Sequence, residues 1–193
     1  DVTTEEPAVF TPTTGRILFT HDTDADGKDM PSQGAGGVAY VNAFGRSDYP
    51  DFYSPALVYY TNLSSGYPTV VAEAGSHELG HNLGLSHDGA SGVTYYSGHG
   101  SGLVDWAPIM GSGYSRNVTQ WSRGEYPNAN NPEDDLAIIA EKLGYLADDH
   151  GNSAGQASAL QVDENGQIVA SSPELDPDNV LFENKGVIDD NND

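Results

Sequence analysis

The stretch HELGHNLGLSHD, residues 77–88, constrains this chain more than any other. It holds His77, His81 and His87, three of the six histidines present. On a helix, four residues advance about 400° and rise about 6 Å, so His77 and His81 point the same way from successive turns. Two imidazoles so placed can reach one metal ion. The preceding residues support the helix: Pro68 suits a first turn, and Val71, Ala74, Glu78 and His81 fall at three- and four-residue steps. A helix is therefore expected over 68–83, with Leu79 and Leu83 toward the core. Gly84 is its stop, since glycine accepts positive φ at little cost. The turn that follows lets "LSH" carry His87 back as a third nitrogen ligand.

Three protein ligands leave one coordination position open, which is the catalytic rather than the structural zinc arrangement. Such an ion acidifies water toward a pKa of ~7, and Glu78, beside His77 without having to ligate, is placed to take the proton. The expected outcome is a cleaved amide. A bare H-E-x-x-H arises by chance, but here His77, Glu78, His81, Gly84, His87 and Asp88 agree at once.

Composition removes several alternatives. There is no cysteine, so a cysteine-ligated zinc site, a thiol nucleophile and a disulfide framework are excluded. Seven basic against 29 acidic residues give a net charge of −22. A polyanion is repelled by nucleic acid and anionic lipid, so neither is an expected partner. No apolar run approaches the ~20 residues of a membrane span, and a monomer is expected. The opening "DVTTEEPAVFTPTTGR" carries no signal peptide and reads as a chain already processed or cut.

Along the chain, residues 1–15 form a polar, turn-rich arm. "RILFT" (16–20), "GGVAYVNAF" (36–44) and "ALVYYTNL" (56–63) read as strands. Residues 85–130 are mostly loop, in which 89–105, with Tyr95 and Tyr96, is expected to shape a pocket wall. A second helix is expected from "NNPEDDLAIIAEKLG", with Asn131 as N-cap, Pro132 at N1 and Gly144 as stop. The catalytic unit is thus 16–149. Residues 150–193, where nine acids face Lys185 alone, read as the start of a truncated acidic β-rich domain or tail. In "DTDADGKD", Asp22, Asp24 and Asp26 alternate before Gly27 as in the first half of a calcium loop. The twelfth position is Gln33, where a bidentate Glu is wanted, so an exposed acidic turn is the plainer reading and Ca²⁺ the sharper one. His21, His99 and His150 lie in loops without ligand-like spacing, His99 being a distant candidate for a cleft rim.

The string HELGHNLGLSHD resembles the metzincin pattern H-E-x-x-H-x-x-G-x-x-H, and Asp88 after the third histidine resembles the reprolysin (adamalysin) branch. In that branch the aspartate supports the active-site helix from below. "WAPIMGSGYS" (106–115) is similar to the methionine turn, with Met110 as a hydrophobic floor under the imidazoles. The likeness covers residues 16–147 and is closest to secreted bacterial reprolysin-like enzymes. It implies an α+β fold, in which a mixed twisted sheet lies over the zinc helix. Below it comes a largely irregular lower subdomain with the methionine turn and a C-terminal helix. It also implies an extracellular zinc endopeptidase acting on extended polypeptide, with an upper-rim strand pairing with the substrate.

The chain departs from the pattern in three ways. Only 76 residues precede His77, fewer than the resemblance implies, so either the chain is minimal or its front is missing. Animal members carry disulfides, and this chain has none. Ser112 stands where the astacin and serralysin branches place a tyrosine, and Tyr114, two residues further, receives no catalytic role. Two rival functions stay open: a zinc-containing binding or adhesion module without turnover, and a zinc amidase or esterase for small molecules.

Overall fold

The structure, a computed structural model, describes residues 4–145 together with 161, 162, 164, 165, 168 and 169. It divides into two units, Asp1–Gly144 and Tyr145–Asp193. In the second unit, a two-residue antiparallel ladder pairs β6 (Gln161–Val162) with β7 (Ile168–Val169). The rest of the β-rich tail expected over 150–193 lies outside the described residues, apart from a turn at 164 and 165.

The first unit is built on one small mixed sheet and one long helix. Strands β1 (Ile17–Thr20), β2 (Gly37–Val38) and β3 (Ala56–Tyr59) pair in the order β1-β3-β2, parallel for β1 and β3, antiparallel for β2 and β3. Helix α1 (Pro68–Leu83) packs against the sheet. Val58, Leu63, Val70 and Ala74 form the buried contact, with Ile17 and Val71 at its margin. A second cluster of Ala43, Phe44 and Tyr49 takes Leu83 from the end of α1. Leu79 and Leu83 are only partly buried, because the helix turns its polar residues His77, Glu78, His81 and Asn82 inward instead.

The helix begins at Pro68, whose missing N–H costs nothing in a first turn. It ends where expected: Gly84 has φ of 123°, and its N–H reaches the carbonyls of Gly80 and His81.

Three expected elements differ. The strand read over 56–63 ends at Tyr59, where a 3₁₀ turn, Tyr60–Asn62, takes over. The strand read over 36–44 stops after Val38. Beyond it, the N–H groups of Asn42 and Phe44 donate to the carbonyls of His81 and Asn82 at 2.8 and 2.9 Å. These carbonyls belong to the last turn of α1 and have no partner within it, so capping the helix takes donors that a longer strand would have used. The second helix, α2 (Asp135–Leu143), starts three residues later than read. Its cap is Asp134, which accepts from the Ala137 N–H at 3.0 Å. Asn131 instead closes a turn by accepting from the Glu133 N–H, while the Glu133 carboxylate binds the Ser86 N–H and hydroxyl. The stop at Gly144 is as expected, with φ of 75° and a bond to the Ala140 carbonyl.

Residues 85–134 carry little regular structure. A two-stranded parallel ladder joins β4 (Trp106–Pro108) and β5 (Val118–Gln120), with a 3₁₀ turn at Gly102–Val104 before it. The arm at 4–15 has no helix or strand, but the Gly45 N–H holds it at the Pro12 carbonyl. Among the described residues, no helix is long and apolar enough to cross a membrane.

Asn82 joins the end of α1 to the second cluster. It is fully buried, accepts from the Tyr49 hydroxyl at 2.9 Å and donates to the Tyr40 carbonyl at 2.9 Å. Tyr49→Phe leaves the Asn82 carbonyl oxygen without that donor and is expected to cost about 1–3 kcal/mol. Urea unfolding monitored by circular dichroism measures the loss; an unchanged midpoint would show that the pair contributes nothing.

Candidate metal centre

His77 and His81 leave α1 one turn apart, with ring centroids 4.9 Å apart and rings nearly perpendicular. The turn after Gly84 brings His87 back, its ring 4.7 Å from that of His81 and 5.3 Å from that of His77. One ligand nitrogen from each residue lies within 4.8 Å of the other two. The Nε2 atoms of His81 and His87 are 3.0 Å apart.

Two carbonyls set the chemistry of these nitrogens. Nδ1 of His77 donates to the Ile109 carbonyl at 2.8 Å, and Nδ1 of His81 donates to the Leu85 carbonyl at 2.8 Å. A carbonyl can only accept, so each Nδ1 carries the proton and each Nε2 keeps its lone pair. Burial holds the rings neutral, taking His77 down to about 4 and lowering His81 and His87. Nitrogens bound to one tetrahedral zinc ion lie about 3.3 Å apart, from zinc–nitrogen distances of about 2.0–2.1 Å. Three neutral imidazoles this close, two with their tautomers fixed, fit such an ion.

Glu78 is 7% exposed, and burial pushes its carboxyl up to about 7. The edge strand passes directly over it: a side chain at Gly37 would begin 2.6 Å from Oε1 of Glu78 and 2.7 Å from the Leu57 carbonyl. Tyr114 also reaches this region. Burial, then the charges of Glu73 and Glu78, raise its hydroxyl to about 12.

The segment Ile109–Met110 supports the histidines from below. Met110 is fully buried, and a side chain on Gly80, between the two helical histidines, would begin 2.6 Å from its Sδ. The Met110 carbonyl accepts from the Asp88 N–H at 2.9 Å, so the same segment holds His77 and the third-ligand loop. Asp88 is fully buried and accepts from the Ser122 hydroxyl at 2.7 Å. Ser122 in turn donates its N–H to Asp135 at 2.9 Å and accepts from the Asp135 N–H at 3.0 Å. Asp135 is equally buried, and in each of the two carboxyls Oδ1 has no partner among the described residues. Among the described residues, no ion pair is formed with either buried acid. Burial accordingly raises both, Asp135 to about 7.

The structure therefore brings together His77, His81 and His87, with Gly84 at the turn and Asp88 and Met110 beneath. It does not gather Asp22, Asp24 and Asp26 into a ligand cluster. Asp24 closes its own loop, accepting from the N–H groups of Asp26 and Lys28, and Asp22 accepts from Gly34 and Asn62. Among the described residues, the histidine triad is the one group of three with metal-ligand spacing. His99 is exposed and shares a hydrogen bond with the Tyr96 hydroxyl; His21 does so with Tyr60. Sequence reading missed Gly37, Gly80, Ser122 and Asp135. The one available signal was the pair Asp134-Asp135 opening a helix, where an acid that does not cap needs another partner.

Residues 16–88, from β1 through the aspartate after the third histidine, match the family model described as metallo-peptidase family M12B, reprolysin-like. No curated protein and no solved structure matches the chain. The match together with the histidine triad fits a reprolysin-like metzincin, and the small mixed sheet with its helices is consistent with that fold.

The raised Asp135 carboxyl has a consequence for stability. Between about pH 4 and about pH 7 the folded chain keeps this proton while the unfolded chain has lost it, so Asp135 makes the fold less stable as pH rises through that window. Asp135→Asn, which stays neutral, is expected to remove this part of the slope. Urea midpoints of the metal-free wild type and variant, compared at each pH, test it; parallel profiles would overturn the assignment.

Proposed function

We propose that the protein is a zinc-dependent endopeptidase that hydrolyses extended polypeptide, with Glu78 as general base. The observation that carries this reading is the convergence of three neutral imidazole nitrogens on one point, next in sequence to a buried glutamate. His77, His81 and His87 would hold the ion. When bound, zinc supplies Lewis acidity, acidifying water and polarising a carbonyl.

Glu78 takes the proton from the attacking water and returns it to the leaving amine. A carboxyl poised near neutral pH can do both. Gly37–Val38 is one of the two edge strands of the sheet, with one side unpaired in it, and it runs against Glu78. A polypeptide laid antiparallel along that edge brings its carbonyl to the site and satisfies the strand's free backbone groups. A recess of about 370 Å³, lined by His87, Gly92, Val93, Thr94 and Asn130, opens beside the third ligand. We assign it to a substrate side chain. Action outside the cell belongs to the same proposal and rests on the resemblance to secreted enzymes.

Metal analysis paired with casein digestion tests the reading. About one equivalent of zinc and digestion abolished by a chelator are expected. Zinc retained without cleavage of casein or small amides would favour a binding module, and cleavage of small amides alone would favour an amidase. Glu78→Gln is expected to keep its zinc and lose about 10²–10⁴-fold in kcat. Full activity in that variant would remove Glu78 from the mechanism.

A further inference from the structure

The three ligand rings are not held in the same way. His77 and His81 are each fixed by a hydrogen bond from Nδ1 to a carbonyl, but among the described residues no group accepts from Nδ1 of His87. The ring of His87 meets Tyr95 instead. Their centroids are 4.3 Å apart at an interplanar angle of 45°, closer than His87 lies to either of the other ligands. Tyr95 also stands 6.1 Å from the ring of His77. Its hydroxyl makes no hydrogen bond among the described residues, and the side chain is 45% exposed. The ring is what is engaged.

A half-exposed side chain can hold a neighbour only if its own backbone is fixed, and here it is. The Tyr96 N–H donates to the Asp88 carbonyl at 2.7 Å, closing the loop that carries Tyr95. Ala90 and Val93 exchange backbone hydrogen bonds inside the loop, and the Gly89 carbonyl accepts from the Tyr126 hydroxyl and the Asn130 N–H. The Tyr96 ring stacks on that of Tyr126 with centroids 4.4 Å apart and planes 11° apart. A side chain at Gly89 would begin 2.5 Å from the Val93 carbonyl, so the loop closes this tightly only with glycine there.

We propose that Tyr95 is a positioning residue for the metal: its ring walls one side of the His87 imidazole and orients the third ligand, as the Ile109 and Leu85 carbonyls orient the other two. An imidazole has a broad, two-fold torsion about its last bond. Without a hydrogen bond at Nδ1 to set that angle, and with Nε2 turned to the other ligands, a flat neighbour at van der Waals distance is what limits it. The inference rests on the reading that the triad binds zinc.

The test measures Zn²⁺ affinity of the full chain by competition with a chromophoric chelator, and the visible absorption of the Co²⁺-loaded protein. Wild type, Tyr95→Phe and Tyr95→Ala are compared. Tyr95→Ala is expected to bind Zn²⁺ about 10–100-fold more weakly, the usual effect of losing a group that orients a ligand, and to alter the Co²⁺ spectrum. Tyr95→Phe, which keeps the ring, is expected to match wild type in both. Should metal-free Tyr95→Ala melt early, Tyr95→Leu replaces it, with the same expectation because it keeps bulk but no flat ring. Wild-type affinity in the ringless variants overturns the proposal. So does equal loss in Tyr95→Phe, which would assign the effect to the hydroxyl. Failure of the wild type to bind Zn²⁺ would overturn the metal reading itself, before any variant is compared.

Discussion

Two hydrogen bonds from histidine Nδ1 atoms to the Ile109 and Leu85 carbonyls carry the arrangement on which the rest depends. An imidazole on a helix is chemically ambiguous, because either nitrogen can hold the proton and the ring can turn. Once a carbonyl claims the Nδ1 proton, the opposite nitrogen is left with a lone pair in a known direction. The two acceptors come from different places. Leu85 is four residues past His81, just beyond the helix stop, whereas Ile109 is 32 residues past His77 and exists at that spot only if the loop-rich half has folded back beneath the helix. Ligand geometry and tertiary structure are therefore one event. Release of the 106–110 segment would free His77 to change tautomer and leave Asp88 without its backbone acceptor.

The lower half has little apolar surface to bury and compensates with backbone and polar contacts to residues flanking the ligands. Leu85, Ala107, Pro108 and Met110 are its fully buried apolar side chains around the site. Around them, the Asp88 N–H and the Gly89 carbonyl bind groups from other loops, and the Asp88 carbonyl closes its own loop at Tyr96. Each bond adds only about 0.5–1.5 kcal/mol net, so the set matters more than any member. Burying Asp88 and Asp135 without a cation works against this. An unpaired charge in such a place costs several kcal/mol, and the group responds by holding its proton. The raised carboxyls are thus the visible cost of tying the third-ligand loop to α2 through Ser122.

The elements legible in sequence are those governed by local rules. Helix α1 follows from Pro68, the three- and four-residue spacing and Gly84, because helix termination is decided by φ at one residue. The triad was legible because two ligands share a helix face and the third follows a single turn. The strand over 36–44 was read too long because its β-branched and aromatic composition says nothing of where its N–H groups go. They go to His81 and Asn82, a partner choice made by packing. Asn131 followed by Pro132 reads as the α2 cap by local rules, but Asp134 caps the helix, and the distant Ser86 holds Glu133 out of it. The carbonyl acceptors were invisible in principle, since every residue has a carbonyl.

The absence of disulfides sharpens the question of how so irregular a region keeps three rings aligned. Close backbone approach supplies part of the answer. At Gly37 the edge strand comes within reach of Glu78, at Gly80 the helix settles onto Met110, and at Gly89 the third-ligand loop folds against its own carbonyls. In each place a β-carbon would stand 2.5–2.7 Å from a neighbouring atom: a backbone carbonyl at Gly37 and Gly89, which only backbone displacement could relieve, and the Met110 side chain at Gly80. Glycine costs conformational entropy on folding, so its use here, on both sides of the site, is explained only if the short distances themselves are needed. They are needed because an ion reads position in tenths of an ångström. In this chain the missing β-carbons let the sheet above and the methionine below approach the histidine helix closely enough to set that scale.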